Sequence, residues 1–260
     1  MPLHQPRRRF AQNFLADPHY VAKVVDAVAP QAGDNLVEIG PGHGALTRPL
    51  IERARHLTAI EIDRDLAARL AAEFSPDQLT LHVGDALDFD FSALGPALRV
   101  VGNLPYNIST PLLFHLARFE SQVTDLHVTL QREVVARMTA RPATPDYGRL
   151  TVMLQAKFRV TRLFTVPPGA FRPAPEVDSA VARLVPLGAE RPRIADEALF
   201  ARVVAAAFGQ RRKTLRNALS AICDVSALAA VDIDPAARGE TLAVADFVRL
   251  ANALAGQPEA

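Results

Sequence analysis

The sequence predicts an α/β fold: a mostly parallel sheet with helices on both faces and an antiparallel edge, followed by a small all-α C-terminal domain. Three observations lead there. Short apolar segments rich in β-branched residues alternate with helical patterns from Asn35 to Leu130, the signature of parallel strands joined by crossover helices. Two further apolar segments, Leu150 to Phe164 and Val177 to Val185, are separated only by the proline-rich loop Pro167 to Pro175, so they read as an antiparallel pair at one edge. Past Pro186 apolar residues recur at helical spacing and strand signals fade.

Each element has its own signal. Asp17 followed by Pro18 predicts a capped helix start, with Val21, Val24, Val25 and Val28 on one face and an end near Pro30. The strand candidates are Asn35 to Ile39, Leu57 to Ile62, Leu79 to Val83, Leu98 to Val101 and Leu126 to Leu130. Between them, Leu66, Leu70 and Phe74 follow a cap at Asp63, and Leu112, Leu113 and Leu116 follow Ser109 and Thr110. The last helices are marked by Leu199, Val203, Val204 and Phe208, by Leu215, Leu219 and Ile222, and by Phe247, Leu250 and Leu254. These patterns divide the chain into residues 1–185 and 186–260.

Composition sets the class. At 260 residues and 49% hydrophobic, the chain can bury one large core and a smaller one. No apolar run approaches the roughly 20 residues needed to cross a bilayer, and Met1 to Phe10 lacks the apolar stretch of a signal peptide. The single cysteine, Cys223, has no partner for a disulfide and no neighbours at zinc-site spacing, which fits a reducing cytoplasm. No metal is expected. The net charge of +1 conceals two basic clusters, Arg7, Arg8 and Arg9, and Arg211, Arg212, Lys213 and Arg216. Such clusters either neutralise phosphates or form a solvated face.

The chemistry gathers at strand ends. Val37 to Ala45 places Gly40, Gly42 and Gly44 between the first strand and the next helix, where glycine lets a ligand approach the backbone. This turn alone does not distinguish a nicotinamide cofactor from another nucleoside. Glu61 ends the second strand 21 residues after Gly40, in position to accept from ribose hydroxyls. Asp85 follows the third strand, before Ala86, where a carboxylate suits an exocyclic adenine amine. Glu38 stands just ahead of the glycines, and a charge there favours a cationic sulfonium or ammonium over a pyrophosphate. After the fourth strand comes Asn103-Leu104-Pro105-Tyr106, which combines an amide, a carbonyl on a restrained backbone and an aromatic ring, enough to hold an adenine amino group.

With these motifs the chain resembles the S-adenosylmethionine-dependent methyltransferases, and in particular the small-subunit (16S) ribosomal RNA adenine N6,N6-dimethyltransferase family, the KsgA type of bacteria and its eukaryotic counterparts. The resemblance runs from Arg9-Phe10-Ala11-Gln12-Asn13-Phe14-Leu15 through Glu38 to Thr47, Glu61 to Leu66, Gly102 to Thr110 and Leu130 to Val134. It continues in Val166 to Phe171, Val177-Asp178-Ser179-Ala180-Val181 and Phe208 to Asn217.

The resemblance implies a Rossmann-like class I methyltransferase sheet and dimethylation of two adjacent adenosines in a 3′-terminal hairpin of small-subunit rRNA. The substrate would be an immature 30S-type particle, met by a monomer with no obligate protein partner and no membrane. It implies S-adenosyl-L-methionine as cofactor, held by Asn13, Leu15, Gly40, Gly42, Glu61, Ile62, Asp85, Ala86 and Asn103. Asn103, Pro105, Tyr106 and Phe171 would grip the base, and both basic clusters would bind RNA. The chain departs from the family at Glu176, where lysine is common, so position 176 is left out of the RNA surface. Two other readings compete: a large-subunit rRNA adenine methyltransferase of the antibiotic-resistance type, against which the Phe208 to Asn217 block argues, and a non-catalytic ribosome-assembly or nucleic-acid-binding factor.

Overall fold

The computed structural model describes residues 13–210 and 212–256. Nine strands and ten α-helices are found among them: β1 (Phe14–Leu15), α1 (Pro18–Val28), β2 (Asn35–Ile39), α2 (Thr47–Ala54), β3 (Leu57–Glu61), α3 (Arg64–Glu73), β4 (Leu79–Val83), β5 (Leu98–Asn103), α4 (Ser109–Leu116), β6 (Val123–Gln131), α5 (Arg132–Met138), α6 (Arg149–Gln155), β7 (Phe158–Val166), β8 (Phe171–Arg172), β9 (Ser179–Pro186), α7 (Glu197–Gly209), α8 (Leu215–Ala218), α9 (Val225–Ala229) and α10 (Val244–Ala255).

Seven strands form one sheet in the order β4-β3-β2-β5-β6-β9-β7. The first five neighbours run parallel and β9 pairs antiparallel with β6, so the predicted mixed sheet with its antiparallel edge is present. Because β2 has β3 on one side and β5 on the other, the chain reverses direction across the sheet at β2. The carboxyl ends of strands beside such a reversal open a crevice, the usual ligand site of open α/β sheets.

Local chemistry explains the boundaries. The Asp17 carboxylate accepts the His19 N–H at 2.8 Å, with Pro18 at the first helical position, and Ala29 ends α1 with φ of 48°. Asp63 likewise caps α3 by accepting from Asp65 N–H at 3.0 Å. Val24, Val25, Leu36, Leu50, Leu57 and Leu70 join Phe171 and Val181 in one buried cluster.

The chain divides into two compact units, one running to Val135 and resuming over Val160–Pro186, the other combining Ala136–Arg159 with the segment from Leu187 onward. The sequence pattern places 136–159 with the sheet; in the structure it belongs to the helical unit. Its apolar residues explain why: Tyr147, Val152 and Ala156 pack in a second core with Phe200, Val203, Val204 and Phe247. Within this unit the Tyr147 hydroxyl donates to the Leu242 carbonyl at 2.8 Å. The stretch expected as a strand from Leu150 is therefore helix α6 as far as Gln155, and β7 begins at Phe158. Thr151 Oγ1 accepts the Gly148 N–H at 3.1 Å and so starts the helix, a side-chain cap that outweighs β-branched propensity in a short segment.

Candidate active site

The pocket opens where the strand ends predict. It is walled by Ile39, Gly40 and Gly42 at the end of β2, Ile60 to Ile62 at β3, Gly84 to Ala86 after β4, and Asn103 to Tyr106 with Ile108 at the end of β5. Asn13 and Phe14 complete the wall from the N-terminal side.

The glycine turn is shaped by close approach. Gly40 and Gly42 have φ of 69° and 57°, a region that side-chain-bearing residues avoid. A Cβ on Gly42 would fall 2.7 Å from the Phe14 ring. Phe14 in turn lies 4.4 Å from the His43 ring, centroid to centroid. Gly102 solves a different problem: a Cβ there would stand 2.7 Å from the Ile39 carbonyl oxygen, so β5 passes close to β2 and delivers Asn103 beside the turn.

Glu61 is buried and fastened at both oxygens. Oε2 accepts the Gly42 N–H at 3.0 Å and Oε1 accepts the Asp63 N–H at 2.8 Å. Burial raises its carboxyl above the ordinary value, against the opposing pull of those N–H groups. With about four acceptor sites, the carboxylate retains capacity for a further donor. Asp85 Oδ1 accepts the Leu87 N–H at 2.9 Å. Ile62 is 41% exposed at the rim, an apolar surface on which a flat base can lie.

Glu38 departs from expectation. Its carboxyl is buried, receives the Thr47 hydroxyl at 2.7 Å, and is pushed up to about 8 chiefly by desolvation. Burial thus favours its protonated form, and it does not line the pocket. Desolvation therefore weakens the negative charge that Glu38 is expected to offer a sulfonium.

On the opposite wall, Asn103 Nδ2 donates to the Asn13 carbonyl at 2.7 Å. A carbonyl can only accept, so the amide is oriented with its own Oδ1 available as an acceptor. The Pro105 carbonyl, expected to be free, receives the Ile108 N–H at 3.2 Å and keeps one lone pair. Tyr106 is half-buried, and its hydroxyl lies 2.5 Å from Ser179 Oγ.

Two expected residues turn their side chains away from the wall. Leu15 and Phe171 are Cα partners in the β1–β8 ribbon, and both are buried in the core. Adjacent residues of a strand face opposite sides and cross-strand partners share a side. With Phe14 turned to the pocket, Leu15 and its partner Phe171 are turned away from it. Phe171, expected to close over a base, is a core residue here. Residues given no role from the sequence also line the pocket: Phe14, Ile39, Ile60, Gly84, Leu104 and Ile108. The signal for Phe14 is available in the alternation along Asn13-Phe14-Leu15.

Arg212, Lys213 and Arg216 are exposed, the first two in the turn between α7 and α8 rather than on a helix. Arg212 borders a cleft with Thr144 and Arg238. Arg7, Arg8, Arg9 and Arg211 lie outside the described residues. Among those described, no cluster of potential metal ligands is present and no helix is long and apolar enough to cross a membrane.

Comparison with known proteins gives consistent relatives. The family model described as ribosomal RNA adenine dimethylase matches residues 3–256. A ribosomal RNA small subunit methyltransferase A from Aromatoleum aromaticum is 60% identical over 257 residues, covering 99% of this chain and 97% of the relative. One of the same description from Thiobacillus denitrificans is 60% identical over 245 residues, covering 94% and 96%. Among solved structures, a dimethyladenosine transferase from Plasmodium falciparum shares the fold with a TM-score of 0.78 at 24% identity, covering 91% of this chain and 95% of that one. The 23S rRNA methyltransferase ErmE matches with a TM-score of 0.68 at 26% identity over 93% of this chain and 99% of its own.

Proposed function

The chain belongs to the ribosomal RNA adenine dimethylase family, and we propose on that premise that it dimethylates N6 of two adjacent adenosines in a 3′-terminal hairpin of small-subunit rRNA. It is an S-adenosylmethionine-dependent rRNA adenine dimethyltransferase. The small-subunit assignment follows the 60%-identical relatives and outweighs the large-subunit alternative, which shares the architecture through ErmE. The substrate we propose is an immature 30S-type particle in the cytoplasm, approached by a monomer.

The pocket fits the cofactor. Gly42 has no room for a Cβ beside Phe14, Glu61 retains acceptor capacity for ribose hydroxyls, and Asp85 and Ile62 suit the adenine amine and ring. When bound, S-adenosylmethionine supplies a methyl group already activated on a positively charged sulfur.

The residues of the chain then have to prepare the nucleophile. The lone pair of an adenine N6 amine is delocalised into the ring, and two acceptors on its hydrogens draw it back onto nitrogen. Asn103 Oδ1 and the Pro105 carbonyl serve as those acceptors, and Tyr106 stacks on the base. The orientation of the Asn103 amide, fixed by its bond to Asn13, is the observation that carries this reading. Positioning and electrostatics supply the rate, and no protein nucleophile is needed. The target adenine has to be unstacked to enter. The basic clusters, including Arg212, Lys213 and Arg216, neutralise rRNA phosphates. Incubating the protein with undermethylated small subunits and labelled S-adenosylmethionine, then mapping the modified bases, tests the proposal: label in adjacent adenosines of the 3′-terminal hairpin supports it, and label elsewhere or none refutes it.

A further inference from the structure

The sequence Val177 to Val181 matches the family yet has no role in the chemistry above. Ser179 within it is fully buried, and its hydroxyl lies 2.5 Å from the Tyr106 hydroxyl, 73 residues away in sequence. Its backbone is firmly placed. Ser179 opens β9 in register with Gln131, the last residue of β6, and the neighbouring Asp178 carbonyl accepts the Arg132 N–H at 2.9 Å. Tyr106, by contrast, sits in the turn after β5, where Ile108 N–H reaches back to Pro105 and the Ser109 hydroxyl reaches the Tyr106 carbonyl at 3.1 Å. Those bonds hold the Tyr106 backbone and do not themselves set the angle of its ring. The hydroxyl at the far end of the ring ties it to the sheet through Ser179, and a buried serine hydroxyl without that partner would be left unsatisfied.

We infer that Ser179 is a positioning residue for methyl transfer, holding the Tyr106 ring at a set distance and tilt against the target adenine, and that this hold matters most in the second transfer. The inference rests on the proposed stacking role of Tyr106. The first transfer has two N–H donors facing two acceptors. A monomethylated amine has one, so alignment then depends more on the stacked ring. A ring free to swing should slow the second step more than the first.

The test uses the full chain on undermethylated small subunits, with nucleoside mass spectrometry reading monomethyladenosine against dimethyladenosine. Ser179→Ala should leave S-adenosylmethionine affinity unchanged and raise the monomethyl-to-dimethyl ratio by about three- to ten-fold, the range expected from losing one hydrogen bond. Tyr106→Phe should produce the same shift, the double variant should be no worse than either single one, and Ser179→Thr should restore the ratio. An unchanged ratio in Ser179→Ala, while Tyr106→Ala abolishes transfer, overturns the positioning role and leaves stacking intact. If Tyr106→Ala also has no effect, the stacking reading itself falls. Equal loss of thermal stability, cofactor affinity and both transfers in Ser179→Ala would make the serine merely structural and overturn the inference.

Discussion

The strand-end pocket and the turn between α7 and α8 hold their polar groups in opposite ways. In the pocket Glu61 is gripped by the backbone N–H groups of Gly42 and Asp63, and Asn103 by the Asn13 carbonyl. In the turn Arg212 and Lys213 stand exposed. The pocket needs atoms at set positions, so burial and restraint give it steep, local sensitivity. The turn needs charge near a polyanion, where solvent and salt blunt each contribution. Substitutions should therefore separate the two regions by size of effect and by response to salt.

Asn103→Ala should have the largest effect. It removes an acceptor proposed to sharpen the nucleophile, and comparable losses of transition-state hydrogen bonds cost about 10²–10³-fold in rate. Single-turnover methyl transfer should fall by that order while RNA affinity changes little. A comparable loss of RNA affinity would erase the distinction between the regions. Gly42→Ala should follow, because its Cβ meets the Phe14 ring and its φ is positive. We expect weaker S-adenosylmethionine binding by calorimetry and a stability loss of about 1–3 kcal/mol; normal affinity would mean that the turn yields easily.

Glu38→Gln sharpens the comparison differently, since its readout is pH. Burial raises the Glu38 carboxyl from 4.5 to about 8. Between those values the folded protein keeps a proton that the unfolded chain releases. The contribution of Glu38 to stability should therefore fall as pH rises from about 4.5 to 8, with no further loss above that. The amide can still accept from Thr47 and carries no charge, so Glu38→Gln should flatten this slope. Thermal melts across the window check it, and an unchanged slope would move the titration elsewhere.

The contrast also governs how much can be read from sequence. Strand ends are legible because β2, β3, β4 and β5 are apolar runs and their parallel order forces Gly40, Glu61, Asp85 and Asn103 to one edge. Tertiary choices are not. The apolar, β-branched residues of Leu150 to Leu154 suit a strand as well as a helix, and the residues that share a core with Val152, Phe200 and Phe247 among them, are distant in sequence. Phe171 reads as a base-gripping aromatic in a proline-rich loop until its pairing with Leu15 turns it to the core. Nor does sequence show that desolvation neutralises Glu38, since that depends on the atoms around it.

The smallest effect per residue should come from the turn. Arg212→Ala and Lys213→Ala remove exposed charge without disturbing the buried Leu215 and Leu219 beside them, so melting temperature should hold. Each phosphate no longer neutralised should lower the slope of log affinity against log salt by about 0.7–0.9. Binding should weaken modestly at low salt, and the difference from wild type should shrink as salt rises, because fewer counterions remain to be released. The rate of transfer on bound substrate should be unchanged. Should the salt slope stay constant, the turn is a solvated surface and RNA affinity resides elsewhere. Should the bound-state rate fall instead, the turn orients the target as well as attracting it, and the division between position and charge no longer follows the division between pocket and turn.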